Sequence, residues 1–200
     1  MIVGKAQERV DGWFVRNAVR LRDAFRITVG LVWILDGSLK FAPGFVDAFT
    51  QNIASLGDGQ PSWLQGWFTF WSNLVSSNPA AWVYTTGTFE LTLGLGLVFG
   101  FLRKIAYGGG LLLSLFIWGV PEGFGGPYGP GSTDLGTGIV YAFVFVALMV
   151  LDATYGPSRF SLDWYFEKRW KNWSRVAEIR GFQAGPVGAS TESAPAAGSG

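Results

Sequence analysis

Apolar residues gather into four long runs along the chain, at about residues 24–45, 80–102, 105–121 and 134–152, the last built around YAFVFVALMVL. A helix needs about 20 residues to cross a hydrocarbon core of about 30 Å, so each run is long enough or nearly so. The runs predict an all-α integral membrane protein, a four-helix transmembrane bundle filling residues 24–153. Three further segments show helical periodicity. Val10, Phe14, Ala18, Leu21 and Phe25 recur among Arg16, Arg20 and Arg22, and Phe166, Trp170, Trp173 and Val176 recur beside Lys168, Arg169, Lys171 and Arg175. These predict interfacial amphipathic helices in a cytoplasmic segment (1–23) and a basic one (154–182), each lying on an anionic inner leaflet. Trp63, Trp67, Phe70, Trp71 and Leu74 form an almost uncharged stripe, which predicts a helix at the outer interface or one packed on the bundle core. Residues 183–200, QAGPVGASTESAPAAGSG, are small, polar and rich in Pro and Gly, the composition of a disordered tail.

Charge orients this plan. Of the 15 Lys and Arg, six precede or include Arg26, two are Arg103 and Lys104, six follow residue 152, and Lys40 lies inside the first run. The connectors 48–79 and 122–133 carry none. By the positive-inside rule both termini and the 103–104 turn are cytoplasmic, giving a multi-pass protein of the plasma membrane. The opposing reading is a helical domain whose core helices are unusually apolar. Composition fits the first: 49% hydrophobic and 16% aromatic residues, with 14% charged against about 25% in ordinary domains. The chain has no Cys and no His, which removes disulfides, thiol chemistry, Cys/His metal sites, iron–sulfur clusters and His- or Cys-ligated haem. No metal is expected, and no signal peptide is read at the N-terminus.

Candidate chemistry lies in the polar positions of the runs. Arg26, Gly30, Trp33, Gly37 and Lys40 step by 4, 3, 4 and 3, placing them on one helical face, with Asp36 one turn before Lys40 and in reach of an ion pair. Gly87, Glu90 and Gly94 share a face of the second run, and the glycines allow close helix approach. At 1.5 Å per residue, Asp36 and Glu90 lie at similar depth, each about 18 Å from the inner boundary. Trp33, Asp36, Lys40 and Glu90 are therefore the candidate intramembrane polar site. One cation for two acids predicts that Glu90 is protonated at neutral pH; a polar clasp that only fixes helix packing is the alternative. Arg26 and Asp152 read as a snorkelling Arg and a boundary Asp.

The connector VPEGFGGPYGPGSTDLGTG (residues 120–138) has no basic residue and no GK[ST] ending, so it is not a phosphate loop. Its Ser132 or Thr133 can cap the following helix, and Glu122, Tyr128 and Asp134 make a candidate outer-loop site. Together with RITVGLVWILDGSLKF and PEGFGGPYGPGSTDLGTGIVYAFVF, the four-run plan resembles the DoxD/DoxX-like membrane family over about residues 22–152. That resemblance implies a membrane subunit of a quinone-reducing oxidoreductase carrying electrons from thiosulfate, or a related sulfur compound, to quinone. It implies quinone as acceptor, a separate DoxA-like subunit and a possible homo-oligomer. The alternatives are a non-catalytic scaffold or assembly subunit and a small proton-coupled transporter. Nothing points to nucleic acid.

Overall fold

The computed structural model describes residues 2–128, 135–156, 158–170 and 172–179. Eight α-helices order these residues: α1 (Ile2–Leu39), α2 (Phe45–Ala54), α3 (Gln65–Ser76), α4 (Pro79–Phe99), α5 (Arg103–Gly119), α6 (Thr137–Tyr155), α7 (Leu162–Arg169) and α8 (Ser174–Ala177). Two pairs make the frame, α1 with α4 and α5 with α6. Val29, Trp33, Leu93, Leu97, Tyr107, Phe145 and Leu148 form the core between the pairs. A second core of Ile53, Leu56, Phe68, Val75 and Val120 seats α2 and α3 across one end.

The α1–α4 contact is set by glycine. A Cβ at Gly94 would lie 2.7 Å from the Gly30 carbonyl oxygen, and one at Gly37 would lie 2.9 Å from the Leu91 nitrogen. Only the bare backbone allows the two helices so close. Local signals fix the ends of α4. Asn78 accepts from the Ala81 N–H at 3.1 Å with Pro79 at the first helical position, and Gly100 closes the helix at φ 62°. There Phe101 N–H bonds to Gly96 O at 2.9 Å, the Schellman arrangement.

This architecture corrects the four-span bundle. Among the described residues only α6 is both long enough and apolar enough to cross a membrane. The 24–45 run is not a separate element. It is the second half of one 38-residue helix whose first half is strongly charged, and that helix stops at Leu39. Phe45 already belongs to α2. In α4, Glu90 and four threonines dilute the apolar character. The third run forms a helix of 17 residues that opens on Arg103 and Lys104. The multi-pass topology and plasma-membrane placement drawn from four spans fall with it. The described residues instead pack as eight α-helices around shared cores. Several apolar side chains nevertheless stay uncovered on the outer faces of α1, α4, α5 and α6.

Candidate functional site

The first site grows from the glycine contact. With Gly37 and Gly87 in backbone contact, the residues one turn away on each helix are forced together. Glu90 of α4 thereby meets Lys40, which follows the last turn of α1. Lys40 Nζ lies 3.0 Å from Asp36 Oδ2 and 3.2 Å from Glu90 Oε2, and 5.2 Å from the centre of the Phe45 ring. The two acids differ sharply. The Asp36 side chain is 52% exposed and that of Glu90 is 0% exposed. Glu90 Oε1 has no hydrogen-bond partner. Burial pushes the Glu90 carboxyl up to about 7 against the pull of Lys40, and Asp36 adds to the rise.

These groups form part of the wall of a cavity of about 590 Å³, within the range of small-molecule sites, which run from about 300 to 1,000 Å³. Its sides come from α1, α4, α5 and α6, and α2 covers it with Phe45, Ala48, Phe49 and Asn52. Asn52 ties that cover down by donating to Pro121 O at 2.9 Å. Most of the lining is apolar or aromatic, including Trp33, Trp82, Phe116 and Tyr141. Trp33 packs edge-on against Tyr141 at 5.5 Å. The Trp33 Nε1 and Ser114 Oγ atoms are buried without hydrogen-bond partners, and both residues line the cavity. A guest presenting an oxygen or a charge would therefore find unspent polar groups on an otherwise apolar wall.

All four residues of the intramembrane set, Trp33, Asp36, Lys40 and Glu90, line this one cavity. The outer-loop set does not stay together. Glu122 reaches the cavity wall, and its Oε2 accepts the Gly138 N–H at 2.8 Å. Glu122 thus takes up a first-turn amide of α6; the candidate caps Ser132 and Thr133 lie outside the described residues. Tyr128 is exposed and donates its hydroxyl to Phe124 O, away from the lining. Asp134 lies outside the described residues.

Sequence reasoning missed a second polar cluster at the opposite end of the frame. Arg26 does not snorkel and Asp152 is no boundary residue: both are buried. Arg26 donates to the Leu97, Val98 and Phe160 carbonyls, placing a cation on the C-terminal end of α4 where the helix dipole favours it. Arg103 spans Asp152 at 2.7 Å, Asp163 at 3.1 Å and Glu167 at 3.5 Å. Burial pushes the Asp152 carboxyl up, and Arg103 and Arg22 oppose the rise. Glu167 is pushed up to about 7 by burial and then by Glu178. The cluster's signal in the sequence is the charged residues flanking the apolar runs, which the positive-inside rule accounts for equally well. No residue of the cluster lines the 590 Å³ cavity, and Arg103 holds both Asp152 and Asp163 by direct hydrogen bonds. It is a clasp.

Among the described residues no group of His, Cys, Asp and Glu could hold a metal ion. No family model, no curated protein and no solved structure matches the chain significantly. The resemblance to the DoxD/DoxX-like family is accordingly withdrawn, and with it the reading of a membrane-embedded, quinone-reducing subunit.

Proposed function

We propose that the chain binds a small, mainly apolar molecule in the 590 Å³ cavity, with the guest's polar group against Asp36, Lys40 and Glu90. The observation that carries this reading is Glu90. A carboxyl group with 0% side-chain exposure and an unpartnered Oε1 is costly to keep in a wall of aromatic and aliphatic side chains. A bound molecule supplying the missing partner would offset that cost. Photolabelling with benzophenone tests the reading. Saturable crosslinks should fall on peptides containing Trp82, Phe116 or Leu35. Thr86 lines the same cavity, so Thr86→Trp should fill the space and abolish the labelling. Labelling that survives Thr86→Trp would remove the cavity as the binding site.

A further inference from the structure

The charge of the cavity wall narrows what can enter it. Its acidic residues are Asp36, Glu90 and Glu122, and its one basic residue among those described is Lys40. Glu122 is engaged with the first turn of α6. That leaves Asp36 and Glu90 facing a single ammonium. Tyr141 from α6 adds a phenol; α2 and α5 contribute no charged side chain to the lining. An anionic guest would thus meet the exposed Asp36 carboxylate and the buried Glu90 carboxyl group beside one lysine.

Lys40 itself shows what the site accommodates. Its ammonium sits between Asp36 Oδ2 and Glu90 Oε2, at 3.0 and 3.2 Å, and 5.2 Å from the Phe45 ring centre. Two carboxylate oxygens and an aromatic face are the surroundings that bind organic ammonium ions. Trp33, Trp82 and Tyr141 add aromatic surface to the same cavity. Lys40 follows the last residue of α1, and its ammonium is carried on a flexible four-carbon stem. It can withdraw toward solvent and yield its place, whereas Glu90 is fixed within α4. Asp36, exposed over half its side chain, is accessible to an incoming cation.

We infer that the cavity takes a lipophilic organic cation, an aryl or alkyl ammonium whose charge replaces or shares the position of the Lys40 ammonium between Asp36 and Glu90 while its apolar part lies against Trp33, Trp82 and Tyr141. This rests on the cavity being a binding site at all. Two probes of nearly identical shape separate the questions: phenyltrimethylammonium, which carries the charge, and tert-butylbenzene, which does not.

Both probes are titrated into the purified full-length chain and followed by ligand-observed NMR. Phenyltrimethylammonium should bind the unaltered chain. Asp36→Asn should weaken it about tenfold, the order expected for one partly screened charge pair, and leave tert-butylbenzene unchanged. Lys40→Met, which removes the competing ammonium, should strengthen phenyltrimethylammonium several-fold without a matching gain for tert-butylbenzene. Unchanged tert-butylbenzene binding also shows that each variant keeps the cavity. If tert-butylbenzene binds and phenyltrimethylammonium does not, or if its affinity ignores Asp36→Asn, the cation assignment is overturned and the cavity reading survives. If neither probe binds, both readings fall.

Discussion

Asp163→Ala is expected to destabilise the fold by about 3–5 kcal/mol, the cost of breaking a buried ion pair by removing one partner. Asp163 is fully buried and accepts four hydrogen bonds. They come from the backbone N–H groups of Leu102 and Arg103 at 2.9 and 3.0 Å, from Arg103 Nε at 3.1 Å, and from Trp173 Nε1 at 3.0 Å. The first two cap the N-terminus of α5 from 60 residues away in sequence. They also hold Leu102 in the left-handed region at φ 50°, a conformation that costs a non-glycine residue roughly 1–2 kcal/mol. Alanine frees the strained turn, leaves two amides orphaned and strips Arg103 of one counterion. Urea unfolding reads the loss directly.

The double variant Asp163→Ala, Arg103→Met separates charge from packing. The double variant should lose less than the sum of the two single variants, because the Arg103–Asp163 contact at 3.1 Å is lost once in it and counted twice in the sum. A double variant as unstable as the sum of the two single variants would show that the Arg103–Asp163 pair is not coupled, and the clasp would reduce to separate contacts.

The two clusters show why one was legible in the sequence and the other was not. Asp36 and Lys40 are four residues apart on one helix, so helical geometry alone puts them in reach. Gly30 and Gly37 mark the stripe along which α4 approaches, and Gly87 and Gly94 mark the matching one. Periodicity therefore contained most of the information that brings Glu90 to Lys40. It did not contain the exposure of Asp36, because the cavity beside it is closed by α2, whose position depends on the chain turning at Gly44. The Arg103–Asp163 contact joins a helix start to a segment 60 residues later, and no local period encodes such a pair. The burial of Arg26 and Asp152 is hidden for the same reason: each flanks an apolar run, and a flanking charge looks solvated until the element that buries it is known. Counting apolar residues also overstated the spans. The count ignored that 24–39 continues a helix already carrying Arg16, Arg20 and Arg22, and that the third run needed Arg103 and Lys104 to reach even 17 residues.

Glu90→Gln is expected to stabilise the protein above neutral pH and to leave it unchanged in mild acid. The Glu90 carboxyl stands at about 7 in the folded chain against an ordinary 4.5. A carboxyl whose folded-state value is raised binds its proton more tightly folded than unfolded. Its neutral form therefore contributes stability that is complete below about pH 4.5 and is lost as pH rises through about 7. At 1.36 kcal/mol per pH unit, the loss amounts to roughly 3 kcal/mol by pH 8. Glutamine has the shape of the protonated acid and cannot ionise. Unfolding free energies of the two proteins should thus agree near pH 4.5 and diverge in favour of Glu90→Gln up to pH 8. In infrared difference spectra at pH 6, where most Glu90 is protonated, the variant should lack one carboxylic-acid carbonyl band. A variant less stable than the parent at pH 8 would mean that Glu90 is ionised and held by Lys40 throughout this range, so that its ion pair outweighs burial.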